Sequence, residues 1–159
     1  MDFLLALWGN TILVSAAFGW CSAQIIKTIL HAIISKAFNA ERLVGAGGMP
    51  SSHSATVCAL STSAILVYGV GSPVFAVCAI LAFICMYDAM GVRRETGNQA
   101  QVINKMIESF QRMSDETMSD EEKLKEFIGH TPLQVLVGAI LGIIVALLVC
   151  GLRGIAFTY

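Results

Sequence analysis

Two histidines in this chain each belong to a short polar motif that also contains a proline. His53 ends the segment Gly47–His53 (GGMPSSH), and His130 lies in Gly129–Pro132 (GHTP). A third polar motif, Val92–Gly97 (VRRETG), supplies two adjacent arginines. Imidazoles transfer protons or attack as nucleophiles, and guanidinium groups bind phosphate oxygens through paired donors. Together these residue types indicate phosphate chemistry.

Each of the three motifs adjoins an apolar run long enough to cross a bilayer, which takes about 20 residues. The histidine motifs open the second and fourth runs, and the arginine motif closes the third, so alternation of the runs puts all three motifs on one face. The first run, within residues 3–38, is too long for one span, and Thr28–Phe38 is expected to continue along or beyond the interface. The four predicted spans are Leu7–Lys27, Ser54–Val70, Pro73–Val92 and Leu133–Leu152.

The composition is that of an integral membrane protein. Hydrophobic residues make up 56% of the 159 residues and charged residues 13%, and the mean hydropathy is +0.74. Soluble domains carry about 25% charged residues. We therefore predict an all-α, polytopic membrane helix bundle in one domain (1–159), with about four spanning helices and one interfacial amphipathic helix. A signal peptide in residues 1–20 is the alternative to a retained first span, but it lacks a basic start because the first charge is Asp2.

The basic residues predict the orientation of the bundle. Only Arg153 lies on the face opposite the motifs, and the other nine lie on or face the motif side: Lys27, Lys36, Arg42, Arg93, Arg94, Lys105, Arg112, Lys123 and Lys125. The positive-inside rule makes that side cytoplasmic, with both termini outside. We expect a multi-pass protein of the cell membrane, of the bacterial inner-membrane kind. A net charge of −1 gives no reason to expect nucleic acid as a partner.

The segment 95–128 is predicted to be a cytoplasmic-face insertion between the third and fourth spans. Ser119–Glu122 matches a capping box that would start a short second helix towards Ile128. Apolar residues at helical spacing earlier in the segment predict an amphipathic helix that lies on the membrane or caps the site. They are Val102, Ile103, Met106, Ile107, Phe110 and Met113.

Both histidine motifs have the features of helix starts. Proline favours the first helical turn, so the second span is predicted to begin at Pro50, with the amides of Ser51, Ser52 and His53 available to an anion. Thr131 is predicted to cap the fourth span. For each histidine the alternative is an interfacial residue beside a well-capped helix.

Two arginines, one lysine and one aspartate complete the candidate phosphate site. Arg93, Arg94 and Lys27 are predicted to bind phosphate, although arginines beside a span also fix orientation and a lysine there also snorkels. Asp88 lies in an apolar run and is expected to pair with a site cation.

Other polar or small residues in the spans are assigned structural roles. His31 is expected to be a packing residue, and Gly138 with Gly142 forms a G-x-x-x-G pair for close helix packing within the protein. The five cysteines show no metal-ligand spacing and are expected to be buried small side chains. No metal and no cofactor is predicted.

These motifs resemble the signature of the type 2 phosphatidic acid phosphatase superfamily. The segments GGMPSSHSA, YDAMGVRRETGNQAQVINK and GHTPLQVLVGAILG are more closely similar to its divergent branch, which is related to acid phosphatases and vanadium-dependent haloperoxidases. The resemblance extends from Gln24 onward.

The resemblance implies a role for each candidate residue. Lys27 and one of Arg93 or Arg94 would bind phosphate oxygens, and Ser51 and Ser52 would surround them. His53 would be the general acid. His130 would be the nucleophile that forms a phosphohistidine, which water then hydrolyses.

Three departures from the family pattern bear on activity. Ser52 replaces a glycine, and 35 residues separate Arg94 from His130 where the superfamily keeps them close. Gln134 stands where an acid normally orients the nucleophilic histidine, and an amide fixes the tautomer without supplying a charge. Glu126 or Asp88 is an alternative source of that charge.

Three hypotheses follow for the function. The first is a membrane phosphatase acting on a lipid or isoprenoid phosphate monoester at the cytoplasmic face. The second is a protein that binds a phosphorylated lipid or nucleotide in the same pocket without turnover, which Gln134 favours. The third is a small transporter or structural membrane protein. The lipid bilayer is a partner in all three, and a homodimer is left open.

Overall fold

The computed structural model describes residues 2–36, 48–114 and 130–155, apart from the side chains of 92–94 and 110–114. Within these residues the chain is helical and contains no strand. This confirms the predicted all-α bundle. The predicted helix from Ser119 to Ile128 lies outside the described residues. The helices are α1 (Asp2–Gly9), α2 (Thr11–Ser35), α3 (Ser52–Tyr68), α4 (Pro73–Met90), α5 (Val92–Ser114) and α6 (Pro132–Leu152).

The N-terminal apolar run is broken at Asn10. The Asn10 side chain accepts a hydrogen bond from the Leu13 amide at 3.1 Å and caps the start of α2. The prediction of one span beginning at Leu7 is therefore wrong, because this cap starts a new helix at Thr11. The 25 residues of α2 extend about 37 Å, more than the hydrocarbon core of about 30 Å, so its last turns pass the bilayer boundary.

Side-chain caps also determine where three later helices begin. Ser51, Ser72 and Thr131 are the N-cap residues of α3, α4 and α6, and a proline directly follows the caps of α4 and α6. The predicted start of the second span at Pro50 is wrong. The Ser51 hydroxyl accepts from the Ser54 amide and makes Ser51 the cap, so Pro50 precedes the helix, joined to Met49 by a cis peptide bond.

The central helix of the bundle is α3, which packs against α2, α4 and α6. Glycines on the neighbouring helices make this packing close. A Cβ atom on Gly19 of α2 would lie 2.8 Å from the carbonyl oxygen of Ala55, and one on Gly142 of α6 would overlap the same oxygen. One on Gly138 would overlap the carbonyl oxygen of Ser51. The G-x-x-x-G pair thus serves packing within the protein, as predicted.

Three helical segments of the described chain are long and apolar enough to cross a membrane by length and composition: α2, α6 and the segment that contains α4. The central α3 has 17 residues, about 26 Å, and carries more small and polar side chains because it is enclosed by its neighbours. Large apolar side chains on the outer surface of α6, such as Ile140 and Leu148, are exposed, as a lipid-facing surface requires.

The amphipathic helix α5 turns its apolar side outward. Val102, Ile103 and Met106 are exposed, whereas Asn104 is 7% exposed and Gly97 is buried. An exposed apolar side on a helix that follows a membrane span fits the interfacial position that the sequence predicts.

Arg153 joins the end of α6 to the N-terminal helices, at the end of the bundle away from the two histidines. Its guanidinium donates to the carbonyl oxygens of Trp8 at 2.6 Å and Gly9 at 3.3 Å and to the Thr11 hydroxyl at 3.2 Å. It also lies 5.6 Å from the centre of the Trp8 ring. The end of α6 and the start of α2 therefore lie together, opposite the polar motifs.

The cysteine prediction is partly wrong. None of the five cysteines forms a disulfide, and Cys58, Cys78 and Cys150 are buried, but Cys21 is exposed and Cys85 is half-buried. Both lie on helices long and apolar enough to cross a membrane.

Candidate functional site

The starts of α3 and α6, the end of α4 and the second half of α2 meet at the polar end of the bundle. The Ser51 amide at the start of α3 donates to the carbonyl oxygen of Gln134 in the first turn of α6, at 3.0 Å. The His130 amide, just before α6, donates to the carbonyl oxygen of Ala89 near the end of α4, at 3.1 Å. Lys27 in the second half of α2 lies against Gly48. The site therefore has walls from α2, α3, α4 and α6.

A capping box holds His130 at the start of α6. The Thr131 hydroxyl accepts from the Gln134 amide at 3.4 Å, and the Gln134 side-chain oxygen accepts from the Thr131 amide at 3.1 Å. Together with the bond from its own amide to Ala89, this fixes the backbone of His130 on both sides. The residue is 3% exposed.

The same side-chain oxygen of Gln134 contacts the His130 ring. Oε1 lies 3.2 Å from Nδ1, and it already accepts from a backbone amide, so the oxygen and not the nitrogen of the carboxamide faces the ring. An amide oxygen only accepts, so Nδ1 carries the proton and donates to it. In the neutral ring Nε2 then keeps its lone pair, which is the form that a nucleophilic imidazole requires.

His53 and His130 are neighbours. Their ring centres are 5.7 Å apart, and the ring planes meet at 65° in an edge-to-face arrangement. His53 is half-buried in the first turn of α3, whereas His130 is buried. The two histidines that the sequence singled out are therefore brought into one site by helices 77 residues apart along the chain.

The two serines at the start of α3 differ in their hydrogen bonds. Ser51 is fully buried, and its amide and hydroxyl both take part in the hydrogen bonds that fix α3 to α6 and cap α3. Ser52, 5% exposed, is in the first turn, where helix geometry gives an amide no carbonyl partner within the helix. Of the two serines, the Ser52 amide is thus the better placed to meet an anion.

Lys27 brings a buried cation to the site. It is 3% exposed although it lies on a membrane-spanning helix, where a buried charge is costly unless an anion or polar groups accompany it. Gly48 adopts φ +86, a left-handed conformation that favours glycine, and a Cβ there would lie 3.4 Å from Cγ of Lys27. The glycine lets the chain pass closely over the lysine stem.

The arginines and the aspartate are less completely described. Arg93 and Arg94 lie in the first turn of α5, just after α4, and their side chains are outside the description. Their role in phosphate binding stays a prediction. Asp88 is half-buried and adjacent in sequence to Ala89, the residue that accepts the His130 amide. This places Asp88 at the right end of the bundle without assigning its partner.

Sequence reasoning missed one polar residue of the site. Gln24 is 5% exposed and lies one helical turn before Lys27 on α2. The signal that could have found it is a carboxamide within an apolar run, three residues from a candidate phosphate-binding lysine. His31, on the same helix, contacts a neighbouring serine, with Nδ1 3.3 Å from the Ser35 hydroxyl.

Within the described chain no three His, Cys, Asp or Glu side chains gather closely enough to hold a metal ion. The prediction of a site without metal or cofactor stays a prediction. Among the described residues, Lys27 is a cation and the first-turn amides of α3 are donors of the kind that bind anions.

The chain is similar to known membrane proteins over most of its length. The sequence profile of the Divergent PAP2 family matches residues 8–145, most of the chain. The chain belongs to the Divergent PAP2 family. It is 42% identical over 151 residues to the uncharacterized membrane protein YuiD of Bacillus subtilis (strain 168), an alignment that covers 90% of this chain and 96% of that protein. No solved structure matches the chain.

The segment that matches the Divergent PAP2 family includes the part of each helix that builds the site. The matched segment runs from before Lys27 on α2 to beyond Gly142 on α6, so both histidine motifs lie within it. With its apolar helices, this makes the chain a multi-pass protein of a bacterial membrane.

Proposed function

We propose that this Divergent PAP2 protein is a membrane phosphatase that hydrolyses the phosphate monoester of a lipid or isoprenoid at the cytoplasmic face of the inner membrane. The observation that carries the proposal is the pair of histidines. Nδ1 of the His130 ring is held by the side-chain oxygen of Gln134, and the His53 ring lies beside it. Buried Lys27 lies at the same end of the bundle.

The proposed reaction has two displacements at phosphorus. In the first, Nε2 of His130 forms a bond to phosphorus, the bond from phosphorus to the ester oxygen breaks, and protonated His53 gives its proton to the leaving alcohol. In the second, a water oxygen attacks phosphorus while neutral His53 accepts a proton from that water, and the bond to Nε2 breaks to release inorganic phosphate. The covalent intermediate replaces one difficult displacement by two easier ones.

Fixed positive charge would stabilise both transition states. Lys27 supplies an ammonium group, and the first-turn amides of α3 supply donors directed out of the helix start. Such donors are already in place before charge develops on the phosphoryl oxygens, which is how a rigid site lowers the barrier.

A groove beside His130 favours a lipid substrate over a soluble phosphate. α4 and α6 separate on the membrane side, leaving an apolar groove of about 400 Å³ that runs from Met90 and Pro132 to Phe83 and Ala139. It begins next to the contact between His130 and α4 and extends about 10 Å along α6. A hydrocarbon chain in this groove would place its phosphate at the histidines.

The second candidate function is binding of the phosphorylated ligand without turnover. Gln134 favours it, because an amide beside His130 gives no negative charge to the imidazolium that forms during attack. In another enzyme class, replacing the orienting acid by its amide lowers kcat about 10⁴-fold. The binding candidate needs the same pocket and differs only in catalysis.

The purified protein in lipid vesicles, incubated with phosphatidate labelled in the phosphate group, tests the proposal. We expect release of inorganic phosphate and an acid-labile, alkali-stable phosphoprotein. His130→Ala should abolish both, and His53→Ala should slow a substrate with a poor leaving group more than an aryl phosphate. His31→Ala is the matched control for loss of an imidazole and should behave as wild type. Full activity of His130→Ala would rule out the nucleophile assignment.

The groove has its own test, which compares two substrates. Ala139→Trp should fill the groove and lower kcat/KM for a long-chain phosphate about tenfold or more, while leaving a water-soluble aryl phosphate little changed. Ile140→Trp adds the same side chain at the next position, which is exposed and does not line the groove. An equal loss on both substrates, or an equal effect of both variants, would contradict the assignment of the groove to the hydrocarbon chain.

A further inference from the structure

The side-chain oxygen of a buried glutamine on α2, Gln24, has no hydrogen-bond partner within the described chain. Gln24 is 5% exposed, and its Oε1 atom accepts no hydrogen bond from any described residue. A buried acceptor without a donor is costly, and one in a membrane-spanning helix is costlier because no bulk water is available. Such an atom needs an explanation, and a donor that arrives with a ligand provides one.

The packing of α2 on α3 shows the level of the bundle at which Gln24 lies. Gly19 lies against Ala55 and Ala59, while Lys27, eight residues later, lies against Gly48. The two helices are therefore antiparallel. Between these two contacts, residues with higher numbers on α2 lie beside residues with lower numbers on α3. This register puts Gln24 level with Ser51 and Ser52, at the start of α3.

A second buried polar atom lies in the first turn of α3. The hydroxyl oxygen of Ser54 is fully buried and has no partner among the described residues. Ser54 is one turn into α3 from Ser51, and its Cβ faces Gly138 of α6. Two neutral polar groups thus lie beneath the helix start that we assign to phosphate.

An acceptor next to a phosphate site selects the protonation state of the ligand. Fully deprotonated oxyanions have only acceptors, so they are repelled by an amide oxygen. A phosphate oxygen that carries a proton donates to it. Sulfate carries no proton near neutral pH, whereas inorganic phosphate carries at least one and a phosphate monoester carries one below its second pKa of about 6.

On this basis, and resting on the proposed phosphate site, we propose that Gln24 is a specificity-determining residue whose Oε1 accepts the proton of a P–OH group. The ligand is then a singly protonated phosphate, supplied by a monoester monoanion or by inorganic phosphate. Lys27 and the α3 amides hold the unprotonated oxygens of the same group, and the Ser54 hydroxyl adds a neutral partner that can donate or accept.

Equilibrium binding of inorganic phosphate and of sulfate to the purified protein in nanodiscs, at pH 6.5, tests the inference without turnover. Wild type should bind phosphate at least tenfold more tightly than sulfate. Gln24→Met, which keeps the length and removes the acceptor, should bring the two affinities within about threefold, mainly by weakening phosphate about tenfold. Ser15→Ala removes a buried hydroxyl about 13 Å from Gln24 towards the start of α2. It should leave the ratio of phosphate affinity to sulfate affinity unchanged. Vesicles containing phosphatidate, titrated between pH 5 and 8, should bind more tightly below pH 6.

Each outcome decides between the inference and the function on which it rests. Equal binding of phosphate and sulfate by wild type would overturn the role of Gln24, because an amide nitrogen facing the site would bind both anions alike. The phosphate site itself would remain in place. An unchanged ratio in Gln24→Met would also overturn it. Binding of neither anion, with no turnover, would overturn the phosphate site together with the inference. Phosphatidate binding in vesicles without binding of inorganic phosphate would identify the lipid headgroup as the source of the protonated phosphate.

Discussion

Replacing Gln134 by glutamate should raise catalysis without disturbing the fold. The Gln134 side-chain oxygen accepts from the Thr131 amide and from Nδ1 of His130, and a carboxylate can accept both bonds. Glutamate is also a preferred residue at this position of a capping box, and a negative charge in the first turn of α6 interacts favourably with the helix dipole. The change therefore adds a charge at one atom and keeps the geometry.

The size of the effect follows from the 3.2 Å contact between Gln134 and His130. A full charge pair at about 4 Å and an effective dielectric constant of 20 is worth roughly 4 kcal/mol, which is an upper limit because the amide dipole already supplies part of it. Hydrogen bonds to charged groups exceed neutral ones by about 1 kcal/mol. Since the imidazole is neutral at rest and charged in the transition state, a gain of about 1.4 to 2.8 kcal/mol raises kcat about 10- to 100-fold.

Gln134→Leu should have the opposite effect. It removes the acceptor that keeps the proton on Nδ1, so part of the His130 population takes the wrong tautomer and kcat should fall about 10- to 100-fold with little change in KM. It also removes half of the capping box, which costs about 1 kcal/mol of stability. Thr131→Ala removes the other half of the box without touching the ring and separates the two effects.

The assay measures turnover of an aryl phosphate and of phosphatidate by wild type and the three variants. The ¹⁵N chemical shifts of His130 report its tautomer independently of activity. Equal rates in wild type, Gln134→Glu and Gln134→Leu would refute the orienting role. If Thr131→Ala lost as much activity as Gln134→Leu, capping rather than ring orientation would be the cause. No turnover in any form would favour the binding function.

Three further predictions concern the bundle. Gly138→Ala should lower the free energy of unfolding by about 1 to 3 kcal/mol, measured in detergent, because its Cβ would overlap the Ser51 carbonyl oxygen, whereas Gly151→Ala, with open space around it, should not. Arg153→Ala should release α1 and increase hydrogen exchange around Trp8 without changing phosphatase activity, and unchanged exchange would contradict the anchoring role. Asn98→Cys, exposed on α5, should react with a membrane-impermeant thiol reagent only when the cytoplasmic side is open, and reaction in intact cells would reverse the predicted orientation.

The starts of helices were predictable from the sequence where a strong N-cap precedes an apolar run. The predicted starts at Pro73 and at Leu133 fall within one residue of the observed ones, because serine or threonine followed by proline determines both. The errors lie where one side chain decides between two starts. Asn10 divides a continuous apolar run, and Ser51 takes the cap that the neighbouring Pro50 suggested.

The proximity of the two histidines was predictable from alternation of spans, because a membrane protein has few ways to connect successive helices. The contact of His53 with His130 and the orientation of His130 by Gln134 were both expected. Gln24 was missed because its role depends on the register between α2 and α3. That register follows from which glycines meet which backbone atoms, and no periodicity in one helix contains it.

Close packing of α3 on α6 links the stability of the bundle to the geometry of its site. Gly138 brings α6 against the backbone of Ser51, and the Ser51 amide then reaches the carbonyl oxygen of Gln134. The side chain of the same glutamine holds the His130 ring. The start of α3, the start of α6 and the ring are therefore positioned by one continuous set of contacts. A larger residue at Gly138 should consequently weaken the bundle and misplace the imidazole together, whereas Gln134→Glu should keep the geometry and change the charge beside the ring.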